Sequence, residues 1–267
     1  PSMGTRRRLL FVTDVTPLPL DRGQRVRVTN LLAACRRHFA VTFVGPEPEE
    51  ASLAGAFAAK CDRVVWLGAR PAPPHDRGAA LLAALRATPG LRRPRTVRMY
   101  LPFAAALQSA DPREHDLVWA ERPHVARLLA GVRARTILDL DDVEHVRIRR
   151  HLALRRSWWP SGELLRELNR YLLYRRMELR WSRGFRATVV CSESDRHYLE
   201  GHGCRNVRVV PNGVNESGTS GSEKRDGTAA GGRHLRVAFL GNLAHGPNLD
   251  AVTYFADEVL PLLRTTE

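Results

Sequence analysis

A chain of 267 residues, 43% of them hydrophobic, has enough apolar mass for one large or two ordinary α/β domains, which excludes disorder throughout. Its formal net charge of +14 is almost all arginine, Lys60 and Lys224 being the lysines; such a chain is drawn to phosphates of any kind, and charge alone does not choose among nucleotides, anionic lipids and nucleic acid. No stretch approaches the roughly 20 apolar residues of a membrane-spanning helix, and Asp14 interrupts the first apolar run too early for a secretory signal.

Short β-branched runs alternate with longer amphipathic stretches, the signature of βαβ units and a mostly parallel sheet. Strands are expected at 8–14, 40–45, 62–68, 116–121, 135–142, 187–192 and 206–213. Several are apolar throughout, as strands covered on both faces must be. Helices are expected at 24–38, with Val26, Leu31, Leu32 and Cys35 near one face, and at 121–132, with Pro123 in the first turn. Pro-rich loops at 70–78 and 88–95 bracket a short alanine-leucine helix. Residues 143–183 read as a long helical insertion broken near 157–162.

The Gly, Ser, Thr and charge of 215–233 give a flexible linker. Residues 234–267 then restart the strand-turn-helix theme. The expected fold class is therefore α/β: a Rossmann-like, mostly parallel sheet with helices on both faces over 1–214, the linker, and the truncated start of a second Rossmann-like domain. Cys35, Cys61, Cys191 and Cys204 lie far apart without metal-ligand spacing, as small buried hydrophobes in a reducing cytoplasm would.

In open α/β sheets ligands gather at the carboxyl ends of the strands, so the residues following each strand are the candidates. At the first such corner Gly23, Gln24 and Arg25 open a helix whose free N–H groups can hold a phosphate or sugar oxygen, or Gly23 simply permits a tight turn. At the second, Glu121 follows a strand and precedes Pro123, as a ligand group or as a charge at a helix start. At the third, Asp139, Asp141, Asp142, Glu144 and His145 crowd together. Adjacent acids repel and need solvent, arginine or a ligand nearby, and one of them has a raised pKa. They can accept a proton or bind sugar hydroxyls, or form a solvated helix N-terminus. No second acid cluster completes a hard-cation shell, so no metal is expected.

Ser192 precedes Glu193, Ser194 and Asp195 as a helix N-cap would. Asn212 and Gly213 belong to a Pro-Asn-Gly turn in which Gly213 can take a positive φ. Gly241 and Asn242 follow the last strand, with Asn248 as a cap. No GxSxG, Cys/His pairing, GxGxxG or P-loop occurs, which removes hydrolase, dehydrogenase and kinase readings.

Taken in order, these corners resemble family-4 glycosyltransferases of the GT-B fold, in which two Rossmann-like domains face each other across a nucleotide-sugar cleft. "LLFVTDVTPLPLDRGQRVRVTNLLAACRRHFAVTFVGP" is similar to the family's opening, and "ATVVCSESDRHYLEGHGCRNVRVVPNGVN" to the passage that closes its N-terminal domain. "VAFLGNLAHGPNLDAVTYFADEVLPLL" resembles the start of its nucleotide-binding domain, in the Gly-Asn…Pro-Asn variant of polysaccharide systems. Gln24 stands where many members have a second glycine, Glu121 and Asp141 where many have a His-Asp context, and Asn215 where an aspartate is common. The paired glutamates, the arginine and lysine and the later glycine loop of the family's donor half do not occur in these 267 residues.

The resemblance implies transfer of a sugar, with retention, from a nucleotide-sugar donor to a glycan or lipid-linked acceptor. The leaving phosphate takes the acceptor proton, so neither a metal nor a further cofactor is required. It implies catalytic or acceptor contacts at Glu121, Asp141, Asp142 and Glu144. Donor contacts fall on Gly23, Gln24, Arg25, Ser192, Asn212, Gly213, Gly241 and Asn242. It also implies that this piece is inactive alone, the other reading being a non-catalytic sugar- or nucleotide-binding module.

Residues 147–185 combine Trp158, Trp159, Tyr171, Tyr174 and Trp181 with many arginines. Either they rest on an anionic membrane surface at the inner face of the cytoplasmic membrane, or Leu165, Leu168 and Leu172 pack on the sheet while the arginines face water. Nucleic-acid binding lacks its aromatic-basic strands or recognition helix.

Overall fold

The computed structural model describes residues 6–67, 94–153, 162–213, 237–241, 243 and 246–264. The loop expected at 70–78, the alanine-leucine helix after it, the linker at 215–233, Trp158, Trp159 and Asn242 lie outside the described residues. The chain divides into two compact units, Pro1–Asn215 and Glu216–Glu267.

In the first unit seven strands, β1 (Arg7–Val12), β2 (Phe39–Pro46), β3 (Arg63–Leu67), β4 (Leu117–Glu121), β5 (Thr136–Asp141), β6 (Ala187–Val190) and β7 (Val207–Val209), form one sheet in the order β3-β2-β1-β4-β5-β6-β7. Every pairing is parallel, as the apolar strand runs require. Alternation along β1 sends Leu9 and Phe11 to one face and Leu10 and Val12 to the other, all four fully buried. On the first face Phe11 stacks with Phe43 and Trp119 at 6.2 and 6.1 Å, and Phe43 meets Phe57 edge-on at 4.8 Å. Each such side chain contributes about 1.5–3 kcal/mol by leaving water. At Gly45 an added Cβ would lie 2.6 Å from the Phe43 ring, so glycine at this strand end is what lets the aromatic cluster close.

Helix α1 (Gly23–Arg36) turns Arg27, Val28 and Leu32 inward. The expected face shifts by part of a turn: Val26 is only half-buried, with Leu31 and Cys35 at the flank of the core. Helix α2 is Ala51–Ala58. The opposite face of the sheet is covered by α3 (Pro94–Ser109), whose Phe103, Ala106 and Leu107 are buried. The Pro-rich composition of 88–95 and Pro102 hid this helix from the sequence reading; Pro94 occupies its first position, where a missing N–H costs nothing. Pro123 likewise opens α4 (Pro123–Ala126), which runs into 3₁₀ turns over Arg127–Arg135.

The insertion forms α5 (Glu144–Ala153) and α6 (Gly162–Gly184), and α7 (Glu193–Gly201) follows β6. Leu164 and Leu168 pack on Ile148 and Leu152 of α5, whereas Leu165 and Leu172, which one of the two readings placed against the sheet, are 65% and 62% exposed. The strand expected to reach residue 213 ends at Val209. Val210 N–H still reaches Val190 O at 2.9 Å, and Pro211 then has no N–H to offer the ladder.

In the second unit α8 (Gly246–Tyr254), one π turn (Phe255–Val259) and α9 (Leu260–Arg264) are consecutive. The strand expected before Gly241 does not form among the described residues: Val237, Phe239 and Leu240 are exposed and belong to no ladder, and a single strand without a partner has no hydrogen bonds to hold it. Gly241 is hemmed in, since an added Cβ would meet the Phe239 ring at 2.9 Å and the Asn248 amide at 3.0 Å.

Candidate functional site

The strand order reverses between β1 and β4. The chain builds outward from β1 to β3 on one side and from β4 to β7 on the other, and the crevice at such a switch point is where open α/β sheets bind ligands. Thr13 and Asp14 leave β1 there, and Glu121, Arg122 and His124 leave β4. Thr13 Oγ1 accepts the Val15 N–H at 2.9 Å and donates its own proton to Glu121 Oε2. Glu121 is 1% exposed, and its Oε1 is buried without a hydrogen-bond partner among the described residues. Burial pushes the Glu121 carboxyl up to about 8, with the charges of Asp139 and Asp14 adding to the shift against Thr13 and Arg122.

One residue beyond Thr13, Asp14 Oδ2 lies 2.8 Å from His124 Nε2 and Oδ1 lies 3.4 Å from Arg122 Nε. Burial alone would raise the Asp14 pKa; the His124 bond and charge and Arg122 outweigh it and hold the carboxylate below its ordinary range. Arg122 sits at φ 71°, a left-handed conformation uncommon outside glycine. That twist lets the chain reverse from β4 into α4 within one residue and brings His124 back towards β1.

A second constellation gathers around Arg27, which α1 delivers to the sheet. Its Nη2 and Nε donate to Asp139 Oδ1 and Oδ2 at 2.9 and 3.3 Å, and its Nη1 donates to Val210 O at 2.9 Å and Asn212 Oδ1 at 2.8 Å. Asn212 Nδ2 in turn donates to Asp141 Oδ1 at 3.2 Å. A buried arginine thus ties the segment after β7 to the end of β5. Asp141 is left-handed, at φ 57°, where the β5–β6 register slips. Its N–H donates to Asp139 Oδ1 at 3.0 Å, and its carbonyl accepts the Cys191 N–H at 3.0 Å. The Asp141 carboxyl is raised, by burial first and by the neighbouring acids, against Arg27 and Asn212.

Cys191 Sγ donates to Asp142 Oδ1 at 3.4 Å, and burial with the adjacent acids pushes the thiol up to about 12. Asp141, Asp142 and Cys191 bring one donor atom each within 4.8 Å of one another. Two carboxylates and a firmly protonated thiol suit neither a hard nor a soft cation well. The other cysteines are free; Cys204 is buried, and burial raises the thiols of Cys35 and Cys61 to about 11.

Both carboxylate oxygens of Glu144 are engaged, Oε2 by Arg147 at 2.9 Å and Oε1 by Arg147 and Arg170 at 2.6 Å each. Against the opposing effect of burial, these arginines lower its pKa. The fully buried His145 pairs through Nδ1 with Glu178 of α6 and through Nε2 with Tyr198 of α7 at 3.0 Å. Glu178 also accepts the N–H groups of Glu144 and His145 at 3.0 and 3.1 Å, and so caps α5 from a neighbouring helix.

Ser192 is the N-cap of α7, accepting from Asp195 N–H at 3.1 Å. Gly213 does not use the positive φ open to a glycine; its Cβ position lies 3.9 Å from the Asn30 amide. Gly23 faces open space, Gln24 is exposed, and Arg25 is bound to Asp21 at 2.9 Å and Pro19 O at 3.3 Å. No side chain caps this helix start. Of the expected residues, the structure therefore assembles Asp141 with Asn212 and sets Glu121 one strand away. It adds Thr13, Asp14, Arg27, Arg122 and His124, which sequence reasoning did not single out. The signal for Arg27 was an arginine on the same helical face as Val28 and Leu32.

No family model matches the chain, and no curated protein matches it. Among solved structures it is similar to sucrose-phosphate synthase from Thermosynechococcus elongatus, with 14% identity, a TM-score of 0.49, and coverage of 79% of this chain and 49% of that one. The chain spans about half the length of that protein.

Proposed function

We propose that this chain serves sugar transfer, presenting a saccharide acceptor at the β1/β4 switch point to a nucleotide-sugar donor. The observation that carries the reading is the convergence at that point of five groups, Thr13, Asp14, Glu121, Arg122 and His124. Saccharides are recognised by buried side chains that donate and accept hydrogen bonds at fixed angles, and these five offer acid, hydroxyl, imidazole and guanidinium together. The uncapped N-terminus of α1, opening with Gly23, Gln24 and Arg25, gives the reading an anion-binding neighbour for donor phosphate. The likeness of the sequence passages to retaining transferases supports chemistry by positioning and charge stabilisation, without an enzymic nucleophile.

A lipid-linked acceptor is favoured by α6. Leu165, Leu172 and Leu173 are exposed beside Arg166, Arg175, Arg176 and Arg180, a mixture that rests on anionic lipid. No helix among the described residues is long and apolar enough to cross a membrane. The test is transfer of radiolabel from a panel of nucleotide-sugars to polyprenyl-phosphate-linked saccharide in vesicles containing phosphatidylglycerol, using the product of the whole reading frame. Label in the lipid fraction, reduced at least a hundredfold by Asp14→Asn, supports the proposal. Nucleotide-sugars left intact under every condition, with vesicles that do not retain the protein at low salt, would refute it.

A further inference from the structure

Glu121 differs from the other buried acids of the sheet edge. Its register partner on β5 is Asp139, and Asp139 takes the guanidinium of Arg27. Among the described residues, no cation makes a hydrogen bond to Glu121. The charged groups that act on it are Asp139 on β5, Arg122 after β4 and Asp14 after β1; Arg27 and His124 are engaged by those two aspartates. A carboxylate placed beside another carboxylate and fully desolvated is driven to its neutral form.

The hydrogen bonds then locate the proton. Thr13 Oγ1 accepts from Val15 N–H and donates its hydroxyl hydrogen to Glu121 Oε2. Oε2 is thus an acceptor and the acid proton resides on Oε1, the atom that has no partner. A buried O–H without an acceptor is unfavourable, and an oxygen supplied by a bound molecule satisfies it.

Resting on the sugar-transfer reading, we infer that Glu121 is a neutral hydrogen-bond donor whose Oε1–H is received by a saccharide hydroxyl oxygen at the β1/β4 switch point. A neutral acid donates to an oxygen acceptor of any class, and a saccharide hydroxyl is the acceptor that the sugar-transfer reading supplies. Ionisation at alkaline pH both removes the donor and sets a second negative charge beside Asp139, so binding weakens as pH rises.

Two measurements on the 267-residue chain test this. Infrared difference spectra of the wild type against Glu121→Gln at pH 7 should contain a carboxylic acid C=O band that disappears with a midpoint near the value of about 8 given by its surroundings. Saturation-transfer NMR with glucose, galactose and mannose should show wild-type binding falling at least tenfold from pH 6.5 to 9.5. Glu121→Gln, which keeps a donor but has no titrating proton, should give a flat profile, and Glu121→Leu should lose binding. A Glu121 ionised at pH 7 in a protein that binds saccharide overturns this inference alone. A pH profile in Glu121→Gln as steep as in the wild type does the same. Saccharides that bind neither protein overturn the ligand class and the sugar-transfer reading with it.

Discussion

Glu121 and Asp139 are neighbours in register on adjacent strands, both essentially without solvent contact, yet the fold treats them in opposite ways. Asp139 is given a bidentate arginine from α1, and its charge becomes the anchor of a network reaching Asn212 and Val210. Glu121 is given a hydroxyl and a second acid across the sheet, and burial drives it towards the neutral form. The structural anchor is complete within the chain, whereas Glu121 retains one unsatisfied atom. A strand end that is finished without a ligand is scaffold, and one left with a single open hydrogen bond is where a ligand is expected.

Breaking the scaffold half should have the largest effect. Arg27→Met leaves Asp139 buried and unpaired, for an expected loss of about 3–5 kcal/mol in urea unfolding at pH 7. The double variant Arg27→Met/Asp139→Leu should recover most of it. If the single variant is as stable as the wild type, the anchor has been misread.

Glu121 sharpens the comparison through pH. Its folded-state pKa is raised from 4.5 to about 8, so its contribution to stability is fully present below pH 4.5 and is lost as pH rises through 8. The Glu121→Gln variant should therefore gain on the wild type across that window by on the order of 2–4 kcal/mol, read as diverging urea midpoints. Parallel midpoints from pH 5 to 9 would contradict it.

Glu178 is a third buried acid, satisfied by two backbone N–H groups and His145. Glu178→Ala should cost about 2–3 kcal/mol and raise amide exchange in the first turn of α5, more than elsewhere in that helix. At the exposed end of the series, Glu114 meets Arg8 at 3.5 Å with both side chains half in water. Glu114→Gln should shift stability by under about 1 kcal/mol, a change in Tm near the limit of calorimetry.

Much of the fold was legible because a parallel sheet buries both strand faces: the runs around Leu9–Val12 and Val41–Val44 contain no polar alternation to mistake for a helix or an edge. The helix at Pro94 was not legible, because two prolines mask a pattern that, among the described residues, holds at Phe103, Ala106 and Leu107. The solvent face of α6 is open between two readings in the sequence, since the adjacent Leu164 and Leu165 leave the helical phase undecided until α5 packs on one of them. The expected strand before Gly241 followed from local pattern, but a ladder needs a neighbour.

For the candidate site, the rule that ligands gather at strand ends found Glu121, Asp141 and Asn212. It did not find the bond between Asp14 and His124, because residues 110 positions apart are joined only by the β1–β4 pairing. Arg25 was named for its place in the helix opening at Gly23; the helix phase turns it to Asp21 at the surface and turns Arg27, which was not named, to the core.

The claim that the β1/β4 switch point is the ligand site is tested most directly by chemical-shift mapping of the isotopically labelled chain with saccharide added at pH 6.5. The account predicts that the largest amide shifts fall on Thr13, Asp14, Glu121, Arg122 and His124, with smaller ones at Asp141 and Asn212. Shifts confined to residues distant from these strand ends, or none at saturating saccharide, would contradict it.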